Sequence, residues 1–213
     1  GFRIKFQWLT FHMKINDQNL KLKLCEAYFS ILNDTNKNSI NLQELCLKIN
    51  VPFDKVKTLI PEKSVNSIFF LKILINKLDK EALEEFKFDI SEDTISSTYD
   101  KILEGLTVRF EKILVYKPAL QILSNTQESK VENFFKLFHE NYFFMFNLVG
   151  LVENKQNCII KTLKSFVLNG LFTKSIEVFL KDENKSLDRT IRYLDQNLKD
   201  IEDVGIFTGI IKR

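Results

Sequence analysis

Two groups of residues in this chain are of types that do chemistry. The first is the short polar run Phe53, Asp54, Lys55, Lys57 and Thr58. Ammonium and hydroxyl groups close together on one short helix neutralise and hydrogen-bond phosphate oxygens, so this run is a candidate nucleic-acid contact. The second group is aromatic: Phe134, Phe135, Phe138, Tyr142, Phe143, Phe144 and Phe146 crowd into one stretch, with positions 134, 138 and 142 on one helical face. Rings in that density either fill a core or line a lipid-sized cavity. Twenty Phe residues in 213 keep both readings open.

Other chemistries find little support. There is no nucleophile elbow, phosphate-binding loop or dinucleotide fingerprint, and the pairs Glu84-Glu85 and Glu92-Asp93 read as solvated helix ends, so no catalytic residue and no enzyme activity are expected. His12 and His139 are too few and too far apart for a His-based metal site, so neither metal nor cofactor is expected. Cys25, Cys46 and Cys158 show no C-x-x-C spacing and each sits in an apolar helical pattern, which predicts buried free thiols in a reducing cytoplasm. The net charge of +3 neither demands nor excludes nucleic acid. No apolar run reaches the roughly 18 residues of a membrane span.

The elements that must position these groups are helices. Six Gly and three Pro leave few turn-formers, and 45% hydrophobic with 28% charged residues is the balance of a folded chain. Gly1–His12 alternates at Phe2, Ile4, Phe6 and Trp8, which is strand-like, and Met13 offers an alternative start. From Asp17, an N-cap candidate, Leu20, Leu24, Ala27, Tyr28, Ile31 and Leu32 take a helical period until the polar run at Asn33–Ser39. A second helix carries Leu42, Leu45, Cys46 and Ile49, Asn50-Val51-Pro52 breaks it, and a third runs from Phe53 to Ile60 before Pro61. Two short helices about a tight turn, following a longer one, make a helix-turn-helix pattern, with any three-helix subdomain as the alternative.

Longer helices follow. They are expected over Val65–Phe86, from a start signal at Ser91-Glu92-Asp93-Thr94, from Pro118 to Leu123, over Glu128–Leu151 and Lys155–Leu180, and from an N-cap at Ser186 to Glu202. On the last two, Leu163, Val167, Gly170, Leu171, Ile191, Leu194 and Leu198 are candidates for an isologous homodimer interface, internal packing being the alternative.

Residues Ser39–Lys63 resemble the TetR family of regulators. Leu45-Cys46 stands at the family's Ile-Ala pair, Asn50-Val51-Pro52 at its Gly-Val-Ser, Val56 at its Leu, Ile60 at its Phe and Lys63 at its Lys. Lys57 and Leu59 replace two motif tyrosines that hold the DNA backbone in the family. Tyr99–Leu123 and Ser186–Gly205 are similar to segments of a TetR-related alphaproteobacterial group, and to ubiquinone-biosynthesis accessory proteins that share the fold, bind lipid and carry an altered helix-turn-helix.

The resemblance implies an all-α, TetR-like architecture. A three-helix helix-turn-helix domain (17–63) follows an extension (1–16) and precedes a larger helical bundle (64–205) and a tail (206–213). It also implies double-stranded DNA as partner, contacted through Ser39, Asn41, Phe53, Lys55, Lys57, Thr58 and Lys63. A hydrophobic small molecule or isoprenoid lipid would lie in a pocket of Leu103, Phe110, Phe134, Phe138, Tyr142, Phe146 and Phe166. The expected function is thus a homodimeric regulator, the alternative a TetR-fold lipid-binding accessory protein. Seven lysines between Asp17 and Lys63 face six acidic residues and no arginine stands among them, which leaves guanine without its usual bidentate reader.

Overall fold

The computed structural model describes residues 2–35, 40–60, 66–125, 130–153 and 157–203, with side chains described from 17 in the first helix, from 137 in the seventh and as far as 201 in the last. Among the described residues the chain is all α-helix, without strands: α1 (Phe2–Thr35), α2 (Leu42–Lys48), α3 (Phe53–Leu59), α4 (Ser67–Glu92), α5 (Thr98–Leu114), α6 (Lys117–Ser124), α7 (Lys130–Val152), α8 (Cys158–Lys181) and α9 (Asp188–Asp203). None of the described helices is long and apolar enough to cross a membrane. The chain divides into two compact units, 1–74 with 122–126 and 75–121 with 127–213.

In the first unit, α1 is one continuous helix from Phe2, which corrects both the strand-like reading of its start and the N-cap at Asp17. No Gly or Pro interrupts this stretch, and Phe2/Phe6 and Ile4/Trp8 are also i,i+4 pairs, so four alternating residues could not decide the period. Further along, Leu24, Cys25, Tyr28, Phe29 and Leu32 are buried. Tyr28 stacks on Phe70 at 4.5 Å, and the Cys25 thiol donates to the Phe70 carbonyl at 3.3 Å. Leu42, Leu45 and Cys46 of α2 and Val56 and Ile60 around α3 complete this small core.

The second unit is built on Phe110 of α5, fully buried against Phe172 (4.7 Å) and Phe179 (5.1 Å) of α8. Gly105 lets α5 approach α7 closely, since a Cβ there would stand 2.3 Å from Leu148 Cδ1. The Tyr99 hydroxyl ties α5 to α9, donating to Asp195 Oδ1 at 2.5 Å and lying 2.8 Å from the Asp195 carbonyl.

Two helix starts differ from expectation, because a polar residue other than the expected one does the capping. α4 runs through Ser91 and Glu92, and α5 begins after Ser97, whose hydroxyl and the Asp100 carboxylate form a reciprocal capping box. Between them Asp93 Oδ1 accepts from the Ile95 and Ser96 amides (2.9 and 3.0 Å). Hydrogen bonds from Ser96, then from Ile95, bring the Asp93 carboxyl down to about 2. At α9, Ser186 is exposed and Leu187 has a left-handed φ of 56°. The cap is Asp182, whose Oδ2 receives the Thr190 amide and hydroxyl, both at 2.8 Å. Burial pushes the Asp182 carboxyl up, but the bonds from Thr190 and the Asn184 amide, with the charge of Lys117, hold it below its ordinary value.

Candidate functional site

The segment from α2 through the turn to α3 is built from local signals. Asn41 caps α2, its side chain accepting the Glu44 amide at 2.8 Å. Ile49–Pro52 then turns the chain, with Asn50 at φ 53°, a region that Asn tolerates better than most residues because its short polar side chain compensates locally. Asn50→Val is expected to cost about 1–2 kcal/mol, read from a urea midpoint, whereas Asn50→Gly leaves stability unchanged.

α3 sets Val56 in the core and leaves Asp54, Lys55, Lys57 and Thr58 exposed, with Phe53 half-buried. Lys57 Nζ lies 5.7 Å from the Phe53 ring centroid, and the Thr58 hydroxyl donates to the Lys55 carbonyl at 2.8 Å. The structure thus brings Asn41, Phe53, Lys55, Lys57 and Thr58 onto one motif, while Ser39 and Lys63 lie outside the described residues.

The residues expected to form a hydrophobic pocket differ in exposure. Phe110 is fully buried core. Phe166 is 57% exposed on the outside of α8, where it meets Phe138 edge-on at 5.5 Å. Leu103, Tyr142 and Phe146 are half-buried, and the Phe134 side chain lies outside the described residues. None of the six whose side chains are described lines the cleft that the second unit contains. That cleft, of about 550 Å³, lies between α4 (Asn76, Asp79, Lys80, Leu83, Glu84, Lys87), α7 (Glu140, Phe143, Phe144, Asn147, Gly150, Leu151) and Lys161 of α8.

Beneath it is a polar cluster that sequence reasoning missed. Arg109 of α5 has no solvent exposure, and its Nε and Nη2 donate to Asp79 Oδ1 and Oδ2 at 2.7 and 2.8 Å. Nη2 also donates to Asn141 Oδ1 at 2.8 Å. The guanidinium is sandwiched between Phe144 and Phe172, 4.3 and 4.2 Å from their centroids. Burial drives the Asp79 carboxyl upward, Arg109 draws it down by charge and hydrogen bonding, and the nearby charge of Glu140 raises it again, so that it stands above its ordinary value. The paired geometry is that of a carboxylate facing a guanidinium.

The candidate dimer residues separate into two sets. Leu171, Leu194 and Leu198 are buried inside this chain's own core, so they are not available to a second copy, which corrects that expectation. α9 is strongly amphipathic and its Arg189, Arg192, Gln196 and Lys199 face solvent, so its apolar positions are consumed within the unit. Val167 and Ile191 are half-buried. Leu163 is 48% exposed, and Gly170 is exposed with open space where a Cβ would stand. With Ile159 (76%) and Phe166 they form a row at three- and four-residue steps along the outside of α8.

Cys25 and Cys46 are buried as expected, but Cys158 is exposed, because it is the first residue of α8 and precedes that helix's packed face. No family model, curated protein or solved structure matches the chain.

Proposed function

We propose that the chain is a TetR-like transcriptional regulator that binds double-stranded DNA as a homodimer and senses a hydrophobic small molecule. The observation that carries this reading is the α2–turn–α3 geometry: a capped helix, a turn through a left-handed Asn50, and a second helix presenting Lys55, Lys57 and Thr58 outward. Two copies of such a motif would reach successive major grooves, and phosphate contacts would supply most of the affinity. The exposed row of α8 favours a second copy because Gly170 permits close helix approach. The half-buried rings Phe138, Tyr142 and Phe146 offer apolar contact to an effector.

The test is titration of the purified protein against its own upstream DNA and an unrelated duplex at several salt concentrations. A regulator binds its own DNA at least about a hundredfold tighter, a ratio well inside the usual gap between specific and non-specific binding. Lys57→Ala weakens both complexes and lowers the salt slope by about 1. Equal, salt-labile binding to both duplexes overturns the reading. The second reading, a lipid-binding accessory protein with a lapsed DNA function, is favoured by the same α8 row, since a membrane-touching helix needs an apolar outer face. Lipid recovered by extraction of the purified protein, together with equal DNA binding, would establish it.

A further inference from the structure

From its first residue to Thr173, α8 exposes Cys158, Ile159, Thr162, Leu163, Phe166 and Gly170. That face therefore carries no charge over about 24 Å of helix. The lysines of the same stretch turn away from it: Lys161 lies over the Phe146 ring, and Lys164 is buried against Glu153. Charged side chains return to the exposed face only with Lys174, Glu177 and Lys181.

The row Ile159, Leu163, Phe166, Gly170 has steps of four, three and four residues, the same read in either direction. Its midpoint lies between Leu163 and Phe166. At the rise of a regular helix these two stand about 2 Å to either side of that point, and Ile159 and Gly170 about 8 Å. At 3.6 residues per turn, the members of each pair also fall on opposite sides of the row's centre line, by about 30° for the inner pair and about 10° for the outer. A twofold axis through the midpoint reverses both displacements. It brings Leu163 of one copy face to face with Phe166 of another, and Ile159 with Gly170. The sizes match: Ile159 is 76% exposed, and Gly170 has open space where a Cβ would stand. A parallel pair would set Gly170 on Gly170 and leave that notch unfilled.

We infer that two copies of the chain pair through α8 in antiparallel register, Leu163 against Phe166 of the other copy and Ile159 seated in the notch at its Gly170. The inference rests on the homodimer of the reading above, not on its DNA or effector parts, and fixes which residues meet. A second copy suits this face because it brings an equally uncharged surface to it, so no ion is desolvated along the row. At roughly 200 Å² for a bulky side chain, Ile159, Leu163 and Phe166 give up about 350 Å² per copy. That is under half of the roughly 800 Å² a side of a standard interface, so the pair is reversible and its population follows concentration.

The test is a dilution series of the full chain by sedimentation equilibrium. Gly170→Leu fills the notch from an open surface, so the unfolding midpoint should not fall. The dimer dissociation constant should nevertheless rise at least about tenfold through overpacking. Adding Ile159→Ala makes room for that leucine and should return the constant to within about threefold of the parent. Disulfides report the direction of pairing, in a Cys158→Ser background because Cys158 is exposed. Ile159→Cys and Gly170→Cys chains should cross-link when mixed but not alone. In antiparallel helices the two copies of either position stand about 16 Å apart along the axis, and a disulfide needs Cα atoms within about 7 Å. Self-cross-linking of the Ile159→Cys chain overturns the register in favour of a parallel pair. A parent dimer indifferent to Gly170→Leu, or one that Ile159→Ala does not restore, overturns the register and leaves the homodimer standing. A parent chain that stays monomeric throughout the series overturns both.

Discussion

Asp79→Ala is expected to lower the unfolding free energy by about 3–5 kcal/mol, the usual cost of removing one partner from a buried ion pair. The reason lies in what Arg109 would be left with. Its guanidinium is fully buried, and of its three hydrogen bonds two go to Asp79, the third to the neutral Asn141 oxygen. The rings of Phe144 and Phe172 on either side supply cation–π attraction of up to about 2 kcal/mol when desolvated. Burying an unpaired ion costs several. The deficit therefore exceeds what the rings return. Urea unfolding of Asp79→Ala and of the double variant Asp79→Leu/Arg109→Met separates the pair's net worth from the cost of breaking it. The double variant removes both charges and should lie closer to the parent than the single one. A cost below about 1 kcal/mol for Asp79→Ala, the range of solvent-exposed ion pairs, would mean that water reaches Arg109 and that the cluster does not lock α4, α5, α7 and α8 together.

Local signals in the sequence read well, and signals set by distant partners read poorly. Asn41, the Asn50-Val51-Pro52 break and the spacing of Leu42, Leu45, Val56 and Ile60 place α2 and α3 within a residue or so, since capping and turn chemistry act over three or four positions. The starts of α5 and α9 were misplaced because several polar residues near each end can cap: a local box of Ser97 with Asp100 starts α5, and Asp182, eight positions ahead of Thr190, caps α9. Arg109 and Asp79 stand thirty positions apart, and nothing near either advertises the other. One signal was nevertheless present. Arg109 falls on the stripe Ile102, Leu106, Ile113 at steps of three and four, so the helical period puts a charge on the buried face and demands a partner for it. The dimer candidates divide for a different reason: an apolar residue on an amphipathic helix does not say whether its own chain or another covers it. Leu194 and Leu198 were covered from within, Leu163 and Phe166 were not.

That exposed pair sets the second large effect. Leu163→Asp with Phe166→Asp should convert the proposed homodimer to a monomer, measured by light scattering, while the helical circular dichroism stays unchanged because both side chains already face solvent. In an isologous interface each residue occurs twice, so two substitutions remove four apolar contacts and introduce four like charges about the twofold axis. At about 1.5–3 kcal/mol for each fully buried Leu or Phe, the loss is worth three or more decades in the dimer dissociation constant. DNA affinity should fall with it by at least about a hundredfold, because the second motif then binds from bulk solution instead of at the effective millimolar concentration that linkage confers. The outcomes divide the readings cleanly. A dimer that persists in the double variant places the interface off the α8 row. A parent chain that is monomeric at micromolar concentration, yet binds anionic vesicles through Leu163 and Phe166, assigns the row to a lipid surface, and α3 is then left without the second copy that a TetR-like operator complex requires.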